Sequence, residues 1–451
     1  MLDNRTVQRY KCADFERKGR KYPGSFELAA HFVDEKRHTA KEISSMTLYY
    51  YAAIIVIVSQ LLFLFQSFRN YRYFLQKHGK ERWWQDPRVA IIVPCKGLDP
   101  DFDKNIASLF NQDYEKHVLW FVVAEDSDPA YAELCKLKDR LTKSSRAQDV
   151  RILVAGQARS CSQKIHNQLH AYNRIGEDID ILAFADSDVC VRTDWLRHLV
   201  WPLRDYRYGA AGGYRWFIPK KNNLATLALS SINAKVAQQL GNTRFNHAWG
   251  GSMAIRVDVF RKVGLDKIWP KVLSDDLSLT YAVKKAGMKL AYVPACLVAT
   301  YESTTWPNLF EFARRQFLIT RIYRPWTWLI GLCSSLYSLL CLWPTAALAV
   351  YAAAIADKRL PFFIAVPIVF LLCETGKALL RQEMIAKLLE HDRHNLKWAR
   401  LADIYLSWLW PLLMFILIAS SAFGRTICWR GICYRLLSPT ETIIVPSKPK
   451  Q

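Results

Sequence analysis

The apolar runs along this chain are of two lengths, and the lengths separate membrane from globular material. Thr47 to Phe68 is apolar apart from Ser59, Gln60, Gln66 and Ser67. Its roughly 22 residues, at about 1.5 Å each in a helix, reach about 33 Å and predict one bilayer crossing. From Arg88 to about Thr300 no run is long enough to span. Short apolar stretches alternate there with helical ones: Val89 to Val93 then Phe102 to Phe110, Val118 to Ala124 then Tyr131 to Leu141, Val150 to Ala155 then Gln163 to Ile175, and a stretch from Ile181 then Trp195 to Leu203. Buried strands alternating with helices predict a doubly wound parallel sheet with right-handed crossovers.

Beyond Thr300 the longer runs return. Trp306 to Trp326 mixes aromatic and aliphatic residues with Arg314, Arg315, Arg321 and Arg324, as a helix lying in the membrane interface would. Trp326 to Ala356 suffices for one tilted or Pro344-kinked span, Pro361 to Cys373 is short, and Ile404 to Phe423 is adequate. Glu374 to Trp398 is amphipathic and reads as a surface helix. The chain thus divides into an N-terminal tail (1–46), a transmembrane helix (47–68), a soluble α/β domain (69–305), an interfacial helix (306–326), further membrane and interfacial helices (327–424) and a tail (425–451). Four spans are expected, one before the domain and three after, which returns both termini to one side.

The net charge of +22, from 62 basic and 40 acidic residues, coexists with 51% apolar residues. Basic and apolar material must therefore be segregated. A basic balance suits nucleic acid or anionic lipid, and the long apolar runs decide for lipid, so no nucleic-acid partner is expected. Arg69, Arg72, Lys77, Lys80, Arg82 and Arg88, with Tyr71, Tyr73, Trp83 and Trp84 among them, put the flank after the first span on the cytoplasmic side. The basic cluster Arg17-Lys18-Gly19-Arg20-Lys21 pulls the other way. The expectation is a multi-pass integral membrane protein with its α/β domain on the cytoplasmic face. No apolar core follows the start closely, so a cleaved signal peptide is not expected. The 11 cysteines form no Cys-x-x-Cys pair and no zinc-spaced cluster; Cys428 and Cys433 can pair only where the tail meets an oxidising compartment.

Three strands end in polar residues on the edge where open α/β sheets bind ligands. They run into Pro94-Cys95-Lys96-Gly97, into Glu125-Asp126-Ser127-Asp128-Pro129, and into Asp186-Ser187-Asp188. Asp186 and Asp188 can share Mg2+ or Mn2+ with phosphate oxygens completing the shell, or can cap the helix that starts near Thr193. No G-x-G-x-x-G follows the first strand and no G-x-x-x-x-G-K-[ST] occurs, which disfavours a dinucleotide oxidoreductase and a P-loop ATPase. The parts of a nucleotide-sugar transferase do occur in order. Glu125 or Asp126 can bond the base or ribose, or simply turn the chain before Pro129. Lys164 can meet ribose or phosphate, or be a surface charge. Asp275 and Asp276 are either an ordinary helix N-terminus or a general base, Asp276 the better candidate, with its neighbour raising its pKa. One base and a displaced diphosphate imply inversion, whereas a hydrolase needs two carboxyls across the bond. Arg314, Arg315, Gln316 and Arg321 can clamp a diphosphate or meet lipid headgroups. His247 and Trp249 can line an acceptor pocket or belong to the core.

Taken in order, Val93 to Pro100, Asn111 to Tyr114, Glu125 to Pro129, Lys164 to Asn167, Asp186-Ser187-Asp188, Gly250 to Met253 and Ser274-Asp275-Asp276 make the chain resemble the ceramide glucosyltransferase family, glycosyltransferase family 21, within the wider family 2 of membrane-bound inverting transferases. The resemblance covers roughly Arg88 to Trp326. It implies a GT-A fold (α/β, Rossmann-like), UDP-glucose or a close UDP-hexose as donor, Mg2+ or Mn2+, and a ceramide-like lipid acceptor. By position it assigns Asp186 and Asp188 to metal and diphosphate and Asp276 to the base, with Lys96, Glu125, Asp126, Asp128 and Lys164 on the donor side. The family's closing (Gln/Arg)-x-x-Arg-Trp is degraded here to Phe312-Ala313-Arg314-Arg315-Gln316. Other readings are transfer to diacylglycerol or a sterol, a processive family 2 polysaccharide synthase, for which three C-terminal spans are few, and a non-catalytic membrane scaffold or transporter, disfavoured by the scarcity of charge within the spans.

Overall fold

The first apolar run lies in one helix, α1 (Ser25–Lys77), whose Thr47–Lys77 part is long and apolar enough to cross a membrane. The computed structural model describes residues 25–446 except Gln85 and Arg430, with side chains from Thr47 onward. The basic cluster at residues 17–21 lies outside the described residues, as does Arg430. The segment expected as a tail up to residue 46 is helical from Ser25.

The α/β domain follows. Its elements are β1 (Val89–Pro94), α2 (Phe102–Phe110), β2 (His117–Val123), α3 (Pro129–Leu141), β3 (Asp149–Val154), α4 (Gln163–Tyr172), β4 (Ile181–Ala185) and α5 (Trp195–Val200). Then come β5 (Tyr208–Pro219), α6 (Leu224–Ala237), β6 (Ser252–Arg256), α7 (Val257–Lys262), α8 (Leu265–Ile268), α9 (Asp275–Lys285) and β7 (Lys289–Glu302). The sheet order is β3-β2-β1-β4-β6-β5-β7. The first four strands are parallel, and their side chains on the two faces fill two apolar layers, one around Ile91, Phe121 and Ala183, the other around Ile92, Trp120 and Phe184.

The sheet is mixed rather than wholly parallel, because β6 runs antiparallel to both β4 and β5. This corrects the expectation from the first half of the domain. The five-residue β6 is reached from β5 through α6 and the Gly250-Gly251 turn and enters the sheet antiparallel between β4 and β5.

The C-terminal third comprises α10 (Trp306–Tyr323), α11 (Pro325–Ala354), α12 (Leu360–Leu388), α13 (Lys397–Tyr405), α14 (Trp410–Ser420), β8 (Thr426–Trp429), β9 (Ile432–Ser438) and β10 (Glu441–Val445). Helices α11 and α12 each have the length and apolarity of a span and pack on one another. Three sequence expectations change here. Pro361 to Cys373 and the expected surface helix as far as Leu388 are one continuous helix, α12, and the remainder up to Trp398 is a short turn and the start of α13. The polar residues of α12 meet protein rather than headgroups: Glu374 pairs with Lys235 of α6 at 3.0 Å, and Arg381 pairs with Asp403 of α13. The expected span Ile404 to Phe423 is broken, since α13 and α14 meet at a 91° bend. The expected tail folds as a three-stranded antiparallel sheet, whose Ile427, Tyr434 and Leu436 join the same buried layer as Ile165, Phe184 and Trp269 of the domain. Cys428 and Cys433 face each other across β8 and β9 and are joined as a disulfide.

Candidate active site

The carboxyl edge of the parallel strands gathers the acidic residues. Asp186 and Asp188 follow β4 directly, and Asp275 and Asp276 open α9, whose N-cap Ser274 accepts a hydrogen bond from the Leu277 N–H. Lys164, in the first turn of α4 behind its own N-cap Ser162, ties the two pairs together. Its Nζ lies 2.6 Å from an Asp186 oxygen and 3.0 Å from Asp275 Oδ2. Burial pulls the lysine toward neutrality, but the Asp186, Asp275 and Asp276 carboxylates outweigh it and hold the ammonium well above its ordinary pKa. Lys164 is therefore a fixed positive charge between the pairs and not a solvated one.

Glycine makes the approach possible. A Cβ on Gly250 would sit 2.5 Å from Lys164 Nζ and 2.7 Å from Asp275 Oδ2, and one on Gly251 would sit 3.0 Å from Asp186 Oδ2. The Gly250 N–H instead donates to Asp276 Oδ2 at 3.2 Å. Asp276 Oδ1 accepts from the Ser274 hydroxyl and from the Leu277 N–H at 2.7 Å. Burial, then the adjacent Asp275 charge, push the Asp276 carboxyl above its ordinary pKa, with Lys164 and these hydrogen bonds opposing. Asp275 is held differently, by Lys164 and by Gln168 Nε2 at 2.9 Å. The two adjacent carboxylates thus have distinct partners.

Asp186-Ser187-Asp188 does not cap the following helix, for α5 has Asp194 at its N-cap. The Ser187 hydroxyl donates to Asp99 Oδ2 at 2.6 Å, and Arg215 of β5 stands 3.9 Å from Asp186 Oδ2. Asp188 Oδ1 is buried without a hydrogen-bond partner. Burial raises the Asp188 pKa, Arg215 opposes, and the Asp186 and Asp99 charges reinforce the rise. An unsatisfied oxygen among carboxylates fits a hard divalent cation that takes its remaining ligands from water and phosphate. Among the described residues no group of three or more His, Cys, Asp and Glu gathers as a complete metal cage.

The remaining sequence candidates are placed as follows. Lys96, Glu125 and Asp126 are exposed at the ends of β1 and β2, on the same edge. Glu125 accepts from Gln157 at 2.8 Å. Asp128 is the N-cap of α3, accepting from the Ala130 N–H at 2.9 Å, and also accepts from the Gly97 N–H at 2.8 Å, so it joins the loops after β1 and β2. Trp249 is buried beside the site, with the Arg215 guanidinium 4.7 Å above its ring. His247 lies 3.3 Å from Thr327 at the start of α11, and burial depresses its pKa to about 3, leaving it neutral at physiological pH. The structure does not bring Arg314 and Arg321 to the carboxylates. Arg314 donates to the carbonyls of Ser420 and Phe423 at 3.1 and 3.2 Å, and Arg321 donates to that of Gly424, all at the end of α14. Arg315 stacks 5.8 Å from the Trp429 ring, and the Gln316 carbonyl accepts from Thr320.

Sequence reasoning missed Asp99, Gln168, Arg215 and Tyr323. Tyr323 closes α10 with its hydroxyl buried, accepting from the Leu273 and Ser274 N–H groups at 3.1 and 3.4 Å. It fixes the loop that delivers Asp275 and Asp276. Tyr323→Phe strands those donors, and with a hydrogen bond of about 1 kcal/mol the expected result is a roughly fivefold fall in kcat with KM for the donor unchanged. Steady-state kinetics check this.

An α/β domain with one pair of carboxylates at a strand end and a second at a helix start beside it, in a chain with apolar helices of spanning length, has the layout of a membrane-attached group-transfer enzyme. The chain belongs to glycosyl transferase family 21, whose model matches residues 48–442. Among curated relatives, a ceramide glucosyltransferase of Gibberella zeae is 31% identical over 135 residues, 28% of this chain and 24% of that protein. A ceramide glucosyltransferase of Komagataella phaffii is 26% identical over 147 residues, 31% of this chain and 28% of that protein. The matched segment thus spans about a quarter of each relative's length. Among solved structures, the mannosyltransferase PcManGT from Pyrobaculum calidifontis, in complex with GDP-Man and Mn2+, aligns over 82% of this chain and 97% of its own at 14% identity, with a TM-score of 0.42. GalNAc-T7 with UDP, GalNAc and Mn2+ aligns over 51% of each chain at 13% identity, with a TM-score of 0.34.

Proposed function

We propose that this chain is an inverting glycosyltransferase that moves one hexose, glucose in the simplest case, from a UDP-sugar to the hydroxyl of a lipid, ceramide in the simplest case. The observation that supports it most is the convergence of Asp186, Asp188, Asp275 and Asp276 around Lys164 and Gly250 at one sheet edge. Asp186 and Asp188 would hold Mn2+ or Mg2+, which when bound neutralises the donor diphosphate. Glu125 or Asp126 bonds the uracil or ribose, and Lys96 lies beside the phosphates. Lys164 bridges Asp186 and Asp275 and offsets their mutual repulsion. Asp276 takes the proton from the acceptor hydroxyl as its oxygen attacks the anomeric carbon, and the diphosphate leaves from the opposite face. Trp249 and His247 border the acceptor side; a neutral His247 next to α11 suits an apolar entrant.

The topology supports a lipid acceptor. The β8–β10 sheet packs into the domain core, so the chain returns to the domain's side after the bent α13–α14 pair. That leaves α1, α11 and α12 as three spans, with the active site on the face to which the basic flank of α1 points, the cytoplasmic one. In that reducing compartment the Cys428–Cys433 bond seen in the structure is expected to be reduced to two free thiols, the hairpin then being held by its ladder. Alkylation in intact cells followed by mass spectrometry checks this, and a fully oxidised pair would place the domain on the other side.

The test of function is transfer from radiolabelled UDP-glucose by purified protein with Mn2+, supplied separately with ceramide and with diacylglycerol. One labelled lipid with ceramide is expected. Label in a polymer would favour a processive synthase, and label on diacylglycerol alone would change the acceptor class.

A further inference from the structure

Away from the carboxylate edge, a cavity of about 650 Å³ opens where α10 meets the end of α14 and the C-terminal sheet. Three guanidiniums line it, those of Arg321, Arg425 and Arg435, together with Ile322, Ala422 and Phe423. Arg314 borders it, its NH2 3.2 Å from the Phe423 carbonyl. The hydrogen bonds of these arginines go to neutral carbonyls: Arg314 and Arg321 cap the C-terminal end of α14, and Arg425 donates to Leu437 at 2.7 Å. None of the four has an ion-pair partner among the described residues, and Arg435 makes no side-chain hydrogen bond among them. Burial, then the Arg425 and Arg314 charges, lower the Arg321 pKa.

Like charges held together by dipoles alone call for an anion. The surroundings say where it comes from. Arg321 precedes by four residues the start of the candidate span α11, and the rings of Phe423 and Trp326 are exposed at 82% and 74%. Guanidiniums beside exposed aromatic rings at a span terminus mark the headgroup level of a bilayer. We infer that this pocket binds a phosphate-bearing anion presented by a phospholipid, with Arg321, Arg425 and Arg435 on the phosphate and Phe423 at the acyl boundary. Guanidinium forks match phosphate oxygens. The site does not depend on the transfer reaction, and among the described residues neither Arg425 nor Arg435 makes a side-chain hydrogen bond to a residue assigned to it.

Native mass spectrometry of the full chain released from detergent, titrated with phosphatidic acid or with phosphatidylcholine, tests the inference. One tightly held phosphatidic acid and no equivalent phosphatidylcholine are expected. Since each basic residue is worth about fivefold at an anionic surface, Arg435→Gln should weaken that adduct roughly fivefold and Arg425→Gln/Arg435→Gln by more than tenfold. The single variant, which removes no side-chain hydrogen bond or ion pair among the described residues, serves if the double variant fails to fold. Unchanged adducts in the variants, or equal retention of phosphatidylcholine, would overturn the site. Displacement of the lipid by an equal concentration of inorganic pyrophosphate would assign the pocket to a soluble anion and overturn the lipid.

Discussion

Asp276→Asn is expected to lower sugar transfer by about 10²- to 10⁴-fold, the usual weight of a positioned general base. Affinity for UDP-sugar should stay within about twofold, because the lost interaction is made in the transition state. Asparagine keeps the volume and an oxygen that can still accept from Leu277 N–H and Ser274, so the α9 cap survives. What disappears is the carboxylate whose pKa is raised by burial and by Asp275. The sign of the pH effect follows. In wild type, transfer falls as pH drops through that raised pKa, because the base takes up a proton and can no longer accept one. In Asp276→Asn that acid limb should vanish from the residual rate. Asp275→Asn should behave otherwise, since its partners are Lys164 and Gln168, and should weaken donor binding. Isothermal titration of nucleotide beside single-turnover kinetics separates the two. Wild-type turnover in Asp276→Asn would end its assignment as base.

The second large effect concerns stability. Arg381 in α12 donates through Nε and NH2 to both oxygens of Asp403 in α13, each at 2.5 Å. Gln382 adds 2.7 Å to the same carboxylate, and Arg381 reaches Gln238 of the domain at 3.1 Å. Both charged side chains are essentially inaccessible, at 1% and 0%. Arg381→Met leaves a buried carboxylate unpaired and is expected to cost about 3–5 kcal/mol, whereas Arg381→Met/Asp403→Leu should recover most of it. Thermal unfolding in detergent measures both. A single-variant loss below about 1 kcal/mol would mean that solvent reaches the pair.

The first half of the domain was legible because parallel strands buried on both faces are apolar throughout, and Ile181 to Ala185 ends abruptly in Asp186. The second half was not. β5 begins Tyr208-Gly209-Ala210-Ala211-Gly212-Gly213, without β-branched residues, and β7 carries Pro294, which its edge position tolerates. Arg215 sits on β5, so its approach to Asp186 had no sequence signal. Lys164 was visible as a candidate but not as the link between carboxylate pairs, because that depends on α4 and α9 meeting across more than a hundred residues. The α12 reading failed for a physical reason: charges on a helix look amphipathic whether water or another buried charge answers them, and the partners lie on other helices, Lys235 139 residues away and Asp403 22. The arginines of α10 posed the same ambiguity, and their geometry sends Arg314 and Arg321 to the end of α14 and Arg315 to the Trp429 ring.

The measurement that tests the central claim most directly is the stereochemistry of transfer. UDP-glucose is α-linked, so one displacement with Asp276 as the sole base must give a β-glycoside. Proton NMR of the lipid product formed from ceramide and UDP-glucose labelled with carbon-13 at C1 is predicted to show the β-anomer alone; an α-linked product would contradict the single-base account and require a second catalytic group at this site.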